Sequence, residues 1–512
     1  MRKTSSLLWE SCHKLLKTHS LIKKEASMTS RMTSNHNHLQ NYHQQMITRN
    51  EKNVQASSSS PTTESSQNPS VRVAKDLDYF LNKHRFERRY LSQQQQEHMG
   101  EMLESSGEVS PEQKATFEVG EKTPSESEVI IKLPFSTDSK LRDIYTNAFN
   151  GLRIGRLLED LDAVAGEVAY KHSDGFDKRR PLTIVTAAID RIELQKPIIP
   201  FFDLEIVGKV TFTGTSSMEI RIEVHSIKKD VPLNDSQLYK NTFTSGVAYE
   251  QKELVMVAYF VMVALDKATN KSTKIHTIIP QTEEDKFLFE MGKENQARRK
   301  AMSESSLMKK PPSDDERLLI HDIFLQKMKQ PHISHDSESN GPAIHYLSLD
   351  GGEPQACIPM SMTKQNNIMI MHPTNRNIHG KIFGGFLLRE AYEIGFITAY
   401  MYTKHRPVFL ALNENSFLKP VEVGSVVEFT SQIVYAGDKS LEIRVEVWVL
   451  DPPSGKKLQC NIFHFAFTCP IVYKVVPDTY AEAMLYLEGK RIHKKGKTMA
   501  ELLNSKLAAS YA

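Results

Sequence analysis

Two glycine clusters, each leading into a run of helix formers, are the first places where this sequence could do chemistry. Gly151 and Gly155 precede LLEDLDAVAG, and Gly380, Gly384 and Gly385 precede FLLREAYEIG. Backbone N–H groups at a helix start lack intrahelical partners and lie at the positive end of the dipole, so an open glycine loop there can donate to a developing oxyanion. Glycine also serves simply to relieve packing at a turn. A phosphate-binding P-loop is excluded, because Gly380-Lys381-Ile382 lacks the GK[ST] ending. The first run carries Glu159, Asp160 and Asp162. Such a cluster is ordinarily a solvated helix face, yet Asp162 is flanked by Leu158, Leu161 and Ala165, and burial among them would raise its pKa toward that of a general base. Cys12, Cys357, Cys460 and Cys469 show no CxxC spacing, so neither structural zinc nor a disulfide framework is expected.

The glycines belong to an internal repeat. NGLRIGRLLEDLDAVAG (150–166) and HGKIFGGFLLREAYEIG (379–395) align at a constant offset of 229, and KPIIPFFDLEIVGKVTFTGTSSMEIRIEV (196–224) aligns with KPVEVGSVVEFTSQIVYAGDKSLEIRVEV (419–447) at 223. The offset falls by six because repeat 1 holds six extra residues between helix and strands, around KHSDGFDKRRP. A period this long is a duplicated domain, not a solenoid. In each copy an apolar run follows the glycines, as for a helix buried in a sheet, and strands come next: VFLALNENSFL, SVVEFTSQIVYAG, SLEIRVEVWVL and CNIFHFAFTC in repeat 2. One long helix followed by antiparallel strands is α+β, a sheet wrapped around a central helix.

At 512 residues, two folded units plus tails are expected, and 65 Lys and Arg against 62 Asp and Glu give no electrostatic footprint for nucleic acid. The longest apolar run, Leu254 to Leu265, is too short to cross a bilayer of about 30 Å as a helix. Residues 1–50 carry eight Lys or Arg and only Glu10 and Glu25 as acids, the composition of a mitochondrial transit segment. The chain therefore divides into that segment, a polar region at 51–127 with one or two possible helices, domain 1 at 128–292, a linker at 293–340 broken by Pro311-Pro312, domain 2 at 341–485 and a basic C-terminal tail at 486–512.

LEDLDAVAG in repeat 1, with NIHGKIFGGFLLREAYEIG and NSFLKPVEVGS in repeat 2, resembles acyl-coenzyme A thioesterases with two tandem hotdog domains, most nearly the mitochondrial thioesterase 9 group. The resemblance covers roughly residues 128–485. It implies hydrolysis of acyl-coenzyme A to a free fatty acid and coenzyme A at a composite site, without cofactor or metal. It also implies that Asp162, from the helix of one domain, and Asn377, from just before the helix of the other, handle the attacking water. The carboxylate would act as general base or attack directly to form an anhydride. The family's HGG is IFGG here, with Phe383 in place of His, which leaves the Gly384-Gly385 loop as the oxyanion site. The repeat offers a check independent of the family: at the 229 offset Asp162 faces Ala391 and Asn377 faces Ala148, so each half keeps one polar group and carries a methyl where the other half keeps its own.

Coenzyme A is polyanionic, and Lys404, Arg406, Arg179, Arg180, Lys196 and Lys419 at helix and strand ends are the candidates to meet it. Acyl-coenzyme A is then the partner, without nucleic acid or stable membrane insertion, in a homo-oligomer of double-hotdog units in the mitochondrial matrix, with the cytoplasm as the alternative. A non-catalytic acyl-coenzyme A sensor would use the same cleft without needing both Asp162 and Asn377. A hotdog hydratase or dehydratase would want a His where Phe383 stands.

Overall fold

The computed structural model describes residues 71–73, 118–175, 180–228, 251–305, 307, 309–329, 344–377 and 379–510. The expected transit segment, Arg179 and nearly all of 51–117 lie outside these residues. The chain gives β1 (Val71–Val73), β2 (Glu121–Lys122), β3 (Val129–Leu133), the short helix α1 (Ser139–Tyr145) and the long helix α2 (Ile154–Ser173). The strands β4 (Leu182–Leu194), β5 (Asp203–Thr213), β6 (Ser217–Lys228), β7 (Gln251–Asp266) and β8 (Thr277–Ile278) follow, then helix α3 (Glu283–Ser305). After α4 (Asp314–Lys329), β9 (His345–Ser348) and β10 (Pro354–Pro359), the pattern returns: β11 (Gln365–Ile370), α5 (Gly384–Thr403), β12 (Val408–Phe417), β13 (Val426–Ala436), β14 (Ser440–Asp451), β15 (Lys456–Thr468), β16 (Lys474–Val476) and α6 (Tyr480–Ser510).

The apolar runs become the two hotdog helices. Leu157, Leu158, Leu161, Val164, Ala165 and Val168 of α2 are all fully buried, which the near-continuous apolar text required. Both helices end on a left-handed residue, Asp174 (φ 51°) and Lys404 (φ 58°), and neither start has a side-chain cap. Among the described residues the strands wrap α2 and α5 as one sheet in the order β1-β3-β5-β6-β7-β4-β12-β15-β14-β13-β11, antiparallel except for β1 beside β3.

The two halves join edge to edge through β4 and β12, where Ala188 pairs with Ser416, Ile189 with Asn415, Ile192 with Leu412 and Glu193 with Ala411. Adding 223 to one member of each pair gives a member of another, so the seam is isologous about a pseudo-twofold axis, the arrangement of a symmetric dimer made within one chain. On the inner side α2 and α5 cross closely. A Cβ on Gly385 would fall 2.7 Å from the Glu159 carbonyl oxygen, and one on Gly155 would fall 3.1 Å from Tyr392.

Two expectations are corrected. The segment beginning at 293 is not only linker: α3 runs to Ser305, the chain breaks across Pro311-Pro312, and α4 follows. The basic tail from 486 is helix α6. These helices are equivalent parts of the duplication, at an offset of 197. Gly208 of β5 packs on Val164 and Val168 of α2, while its neighbour Lys209 pairs with Asp285 of α3, so α3 covers the opposite face. Likewise Ser431 of β13 bonds Thr398 of α5, while Gln432 reaches Glu482 of α6. Thr282 caps α3 at Asp285 as Thr479 caps α6 at Glu482. Charges hid both helices from the periodicity reading, because each buries only a narrow stripe: Leu288 in α3, and Ala483, Tyr486 and Leu487 in α6.

Candidate active site

Beyond the Ala188–Ser416 pair, β4 and β12 part, and a cavity of about 810 Å³ opens between the halves. Its wall includes Asp162 from α2, Thr186 from β4, Asn377 from the loop before α5, Gly384 at the start of α5 and Phe417 from β12. Carboxylate and carboxamide, 215 positions apart in sequence, thus share one cavity with one wall from each repeat.

Asp162 is 2% exposed. Its Oδ1 accepts a hydrogen bond from the Thr186 hydroxyl at 2.8 Å, and Oδ2 has no partner of normal geometry among the described residues. A Cβ on Gly384 would stand 3.2 Å from that Oδ2, so the free oxygen looks onto the N-terminus of α5. Burial pushes the Asp162 carboxyl up to about 6, against the opposing pull of the Thr186 hydroxyl and the Gly385 N–H. A carboxylate with that pKa is ionised near neutrality and still basic enough to take a proton.

The Asn377 carboxamide is fixed by its own loop, since its Oδ1 accepts from the His379 N–H at 2.9 Å and the Lys381 N–H at 3.1 Å. A carboxamide has one acceptor and two donors; with the Asn377 acceptor engaged, what remains for the cavity is the NH₂ group. The loop is pinned to the other repeat through His379, whose Nε2 lies 2.7 Å from the Tyr170 hydroxyl of α2. Burial first, and then Lys267, hold His379 below its ordinary pKa, so it stays neutral at pH 7 and belongs to the wall. His172 is buried at the end of α2, and burial lowers its pKa to about 4.

A Thioesterase superfamily model matches residues 155–232 and 379–456, one match in each repeat. The mouse protein "Acyl-coenzyme A thioesterase 9, mitochondrial" is 34% identical over 74% of this chain and 79% of its own. "Acyl-coenzyme A thioesterase 2, chloroplastic" from Humulus lupulus is 34% identical over 72% of this chain and 80% of its own. The chain belongs to the acyl-coenzyme A thioesterase family. Among solved structures, an acyl-CoA hydrolase from Staphylococcus aureus in complex with butyryl coenzyme A matches 30% of this chain and 98% of its own at 25% identity, with a TM-score of 0.29.

In this member of the family the symmetric mate of the cavity, at the Glu193–Ala411 end of the seam, is built differently. At the repeat offsets Ala391 stands for Asp162, Ala148 for Asn377, Phe409 for Thr186 and Arg156 for Gly385. Ala391 is fully buried, and the Phe409 ring packs edge-on against Tyr392 at 5.6 Å and Phe467 at 6.1 Å, filling with aromatics the space that the other end leaves open.

The basic candidates fare differently. Lys419 lines the cavity. Of the other described candidates, Lys196 pairs with Glu253 at 2.6 Å, Arg180 bonds Thr273 and the Lys274 carbonyl, Arg406 stacks on Phe149 at 4.3 Å and Lys404 caps α5, none of them among the residues lining this cavity. Arg179 is not among the described residues. Lysines and arginines at loop ends are too common for spacing to pick the right ones. The cations that sequence reading missed are Lys267 and Arg376, which line the cavity and have no ion pair among the described residues, and Lys381, which pairs with Glu422. Thr186 was also missed, although the Thr186/Phe409 exchange at offset 223 was readable by the logic that found Asp162/Ala391. So was Asn461, fully buried in the cavity wall with its carboxamide unpartnered.

Proposed function

We propose that this protein hydrolyses acyl-coenzyme A thioesters at the cavity between its repeats. Asp162 takes a proton from water as the water oxygen attacks the thioester carbonyl carbon. The N–H groups of Asn377 hold that water by its lone pair, and the open first turn of α5 at Gly384 receives the charge that develops on the carbonyl oxygen, while the Gly385 N–H serves Asp162. Collapse breaks the C–S bond, the proton passes to sulfur, and the products are a fatty acid and coenzyme A. Loss of one oxyanion donor typically lowers the rate by about 10² to 10³.

Lys267, Arg376 and Lys419 supply positive charge for the coenzyme A phosphates. The observation that carries the reading is the buried Asp162, raised to about 6 and facing the start of α5 from the opposite repeat, while the positions equivalent to Asp162 and Thr186 are Ala391 and Phe409. Each hotdog unit is proposed to include its covering helix, at 128–305 and 344–510. The mitochondrial designation of the mouse relative and the basic, acid-poor composition of residues 1–50 support action in the mitochondrial matrix, in a homo-oligomer of these units.

The test is release of free thiol from acyl-coenzyme A by the purified protein, across short to long chains. Asp162→Ala and Asn377→Ala are each expected to lose at least about 10³-fold in kcat with folding retained. Mixing the two variants should restore nothing, because both groups come from one chain. Unchanged turnover in both variants would eliminate the site, and rescue on mixing would move it to an interface between chains.

A further inference from the structure

Gly166 has no packing reason to be glycine. It lies in the middle of α2, one turn after Asp162, where glycine destabilises a helix relative to alanine. An ideal Cβ there would meet nothing within 4 Å outside the helix's own neighbouring backbone, and its φ is not in the left-handed region. Its equivalent in repeat 2, Gly395, is buried, and a Cβ there would come to 3.4 Å from Phe465, so that copy faces packed side chains. Gly166 faces empty space: it lines the cavity and is the one residue between Leu161 and Tyr170 that is not buried. A bare stretch of helix backbone kept against an open cavity is what a ligand needs in order to lie against that helix.

Which part of the ligand lies there follows from the charges. Asp162, Ala163, Gly166 and Tyr170 line one side of the cavity, and at about 1.5 Å per residue Gly166 sits about 6 Å and Tyr170 about 12 Å along α2 from the carboxylate. Tyr170 is bonded to His379, and His379 feels the charge of Lys267, which also lines the cavity, so this direction leads toward cations and polar groups. Phe417, Leu418, Phe383 and Leu387 line the cavity in the apolar quarter where Phe417 meets Gly384.

We infer that Gly166 is a clearance residue for the pantetheine arm of coenzyme A, which passes over α2 between the thioester at Asp162 and the phosphates near Lys267, while the acyl chain runs the other way. The inference rests on the thioesterase reading and goes on to assign the two arms of its substrate.

The experiment compares Gly166→Ala and Gly166→Leu with the wild type, measuring kcat/KM on acyl-coenzymes A of increasing chain length and calorimetric binding of coenzyme A itself, which has no acyl chain. Gly166→Ala is expected to raise the melting temperature by about 1 to 3 °C, and the melting temperature of Gly166→Leu measured beside it separates loss of function from misfolding. Gly166→Leu is expected to lower kcat/KM by roughly 10- to 100-fold, by the same factor for every chain length, and to weaken coenzyme A binding by a similar factor. A loss confined to long chains with coenzyme A binding intact would place the acyl chain on Gly166 and overturn the assignment. Wild-type binding by Gly166→Leu would overturn it outright. If the wild type itself neither released thiol nor bound coenzyme A, the thioesterase reading would fail, which is a different result from either.

Discussion

Replacing Asp162 by Asn should remove catalysis and change stability in a way that depends on pH. The carboxyl is 2% exposed and its pKa rises from 3.8 to about 6 on folding, chiefly by desolvation. A gap of about two pH units is about 3 kcal/mol of bias toward the neutral form. Because the folded pKa lies above the unfolded one, the native chain holds a proton between about pH 4 and 6 that the unfolded chain has released, so this group makes the wild type less stable as pH rises through that window. The penalty is about 1 to 2 kcal/mol at pH 5 and about 3 kcal/mol at pH 8. Asparagine has the same shape, can still accept from Thr186 and does not titrate; any constant effect of its NH₂ group is the same at every pH.

The stability of Asp162→Asn relative to wild type should therefore increase by about 1 to 2 kcal/mol between pH 5 and pH 8. Urea unfolding of both proteins at pH 5, 6, 7 and 8, with equal m-values checked, measures this directly. Thiol release by the same samples should fall to background. A difference that stayed flat across the series, or ran the other way, would show that Asp162 is not a desolvated carboxylate, and the general-base assignment would lose its physical basis.

Thr186→Val should shift the acid limb of kcat/KM from about pH 6 to about 7 or higher, since a hydrogen bond to a charged group contributes about 1.5 to 3 kcal/mol; an unmoved limb would leave Thr186 only a wall residue. Lys267→Ala and Arg376→Ala should each raise KM about three- to tenfold with kcat within about twofold, and should flatten the dependence of KM on salt; a fall in kcat at constant KM would place these cations at the reacting centre. Gly292→Ala would bring a Cβ to 2.4 Å from Phe212, and Gly489→Ala one to 2.7 Å from Val434, so each should destabilise by about 1 to 3 kcal/mol in thermal or urea unfolding. Neutral behaviour of both would mean that α3 and α6 do not seat on their strands as described.

The fold was legible because duplication wrote it twice, and the two polar groups because the copies differ at their positions. A helix with Leu157, Leu158, Leu161, Val164 and Val168 on most sides can only be central, and comparing the copies exposed Asp162 against Ala391 without any knowledge of the cavity. The same comparison, taken one strand further, would have given Thr186 against Phe409. The cations resisted for a physical reason: which of many loop lysines and arginines point into a cavity depends on where β4 and β12 part, a tertiary event with no local signature. The covering helices resisted because their apolar stripes are too narrow to dominate a charged sequence. Their duplication was nevertheless present in the alignment of Thr282, Asp285 and Gly292 with Thr479, Glu482 and Gly489.

The isologous seam has a genetic consequence. When two identical subunits meet across a twofold axis, any mutation strikes both symmetry-related sites at once, and losing a nucleophile's partner at one means losing it at the other. Tethering the copies ends that enforced symmetry. One end of the seam was free to fill with aromatic side chains while the other kept its void, so an active-site titrant should count one equivalent per polypeptide, never two.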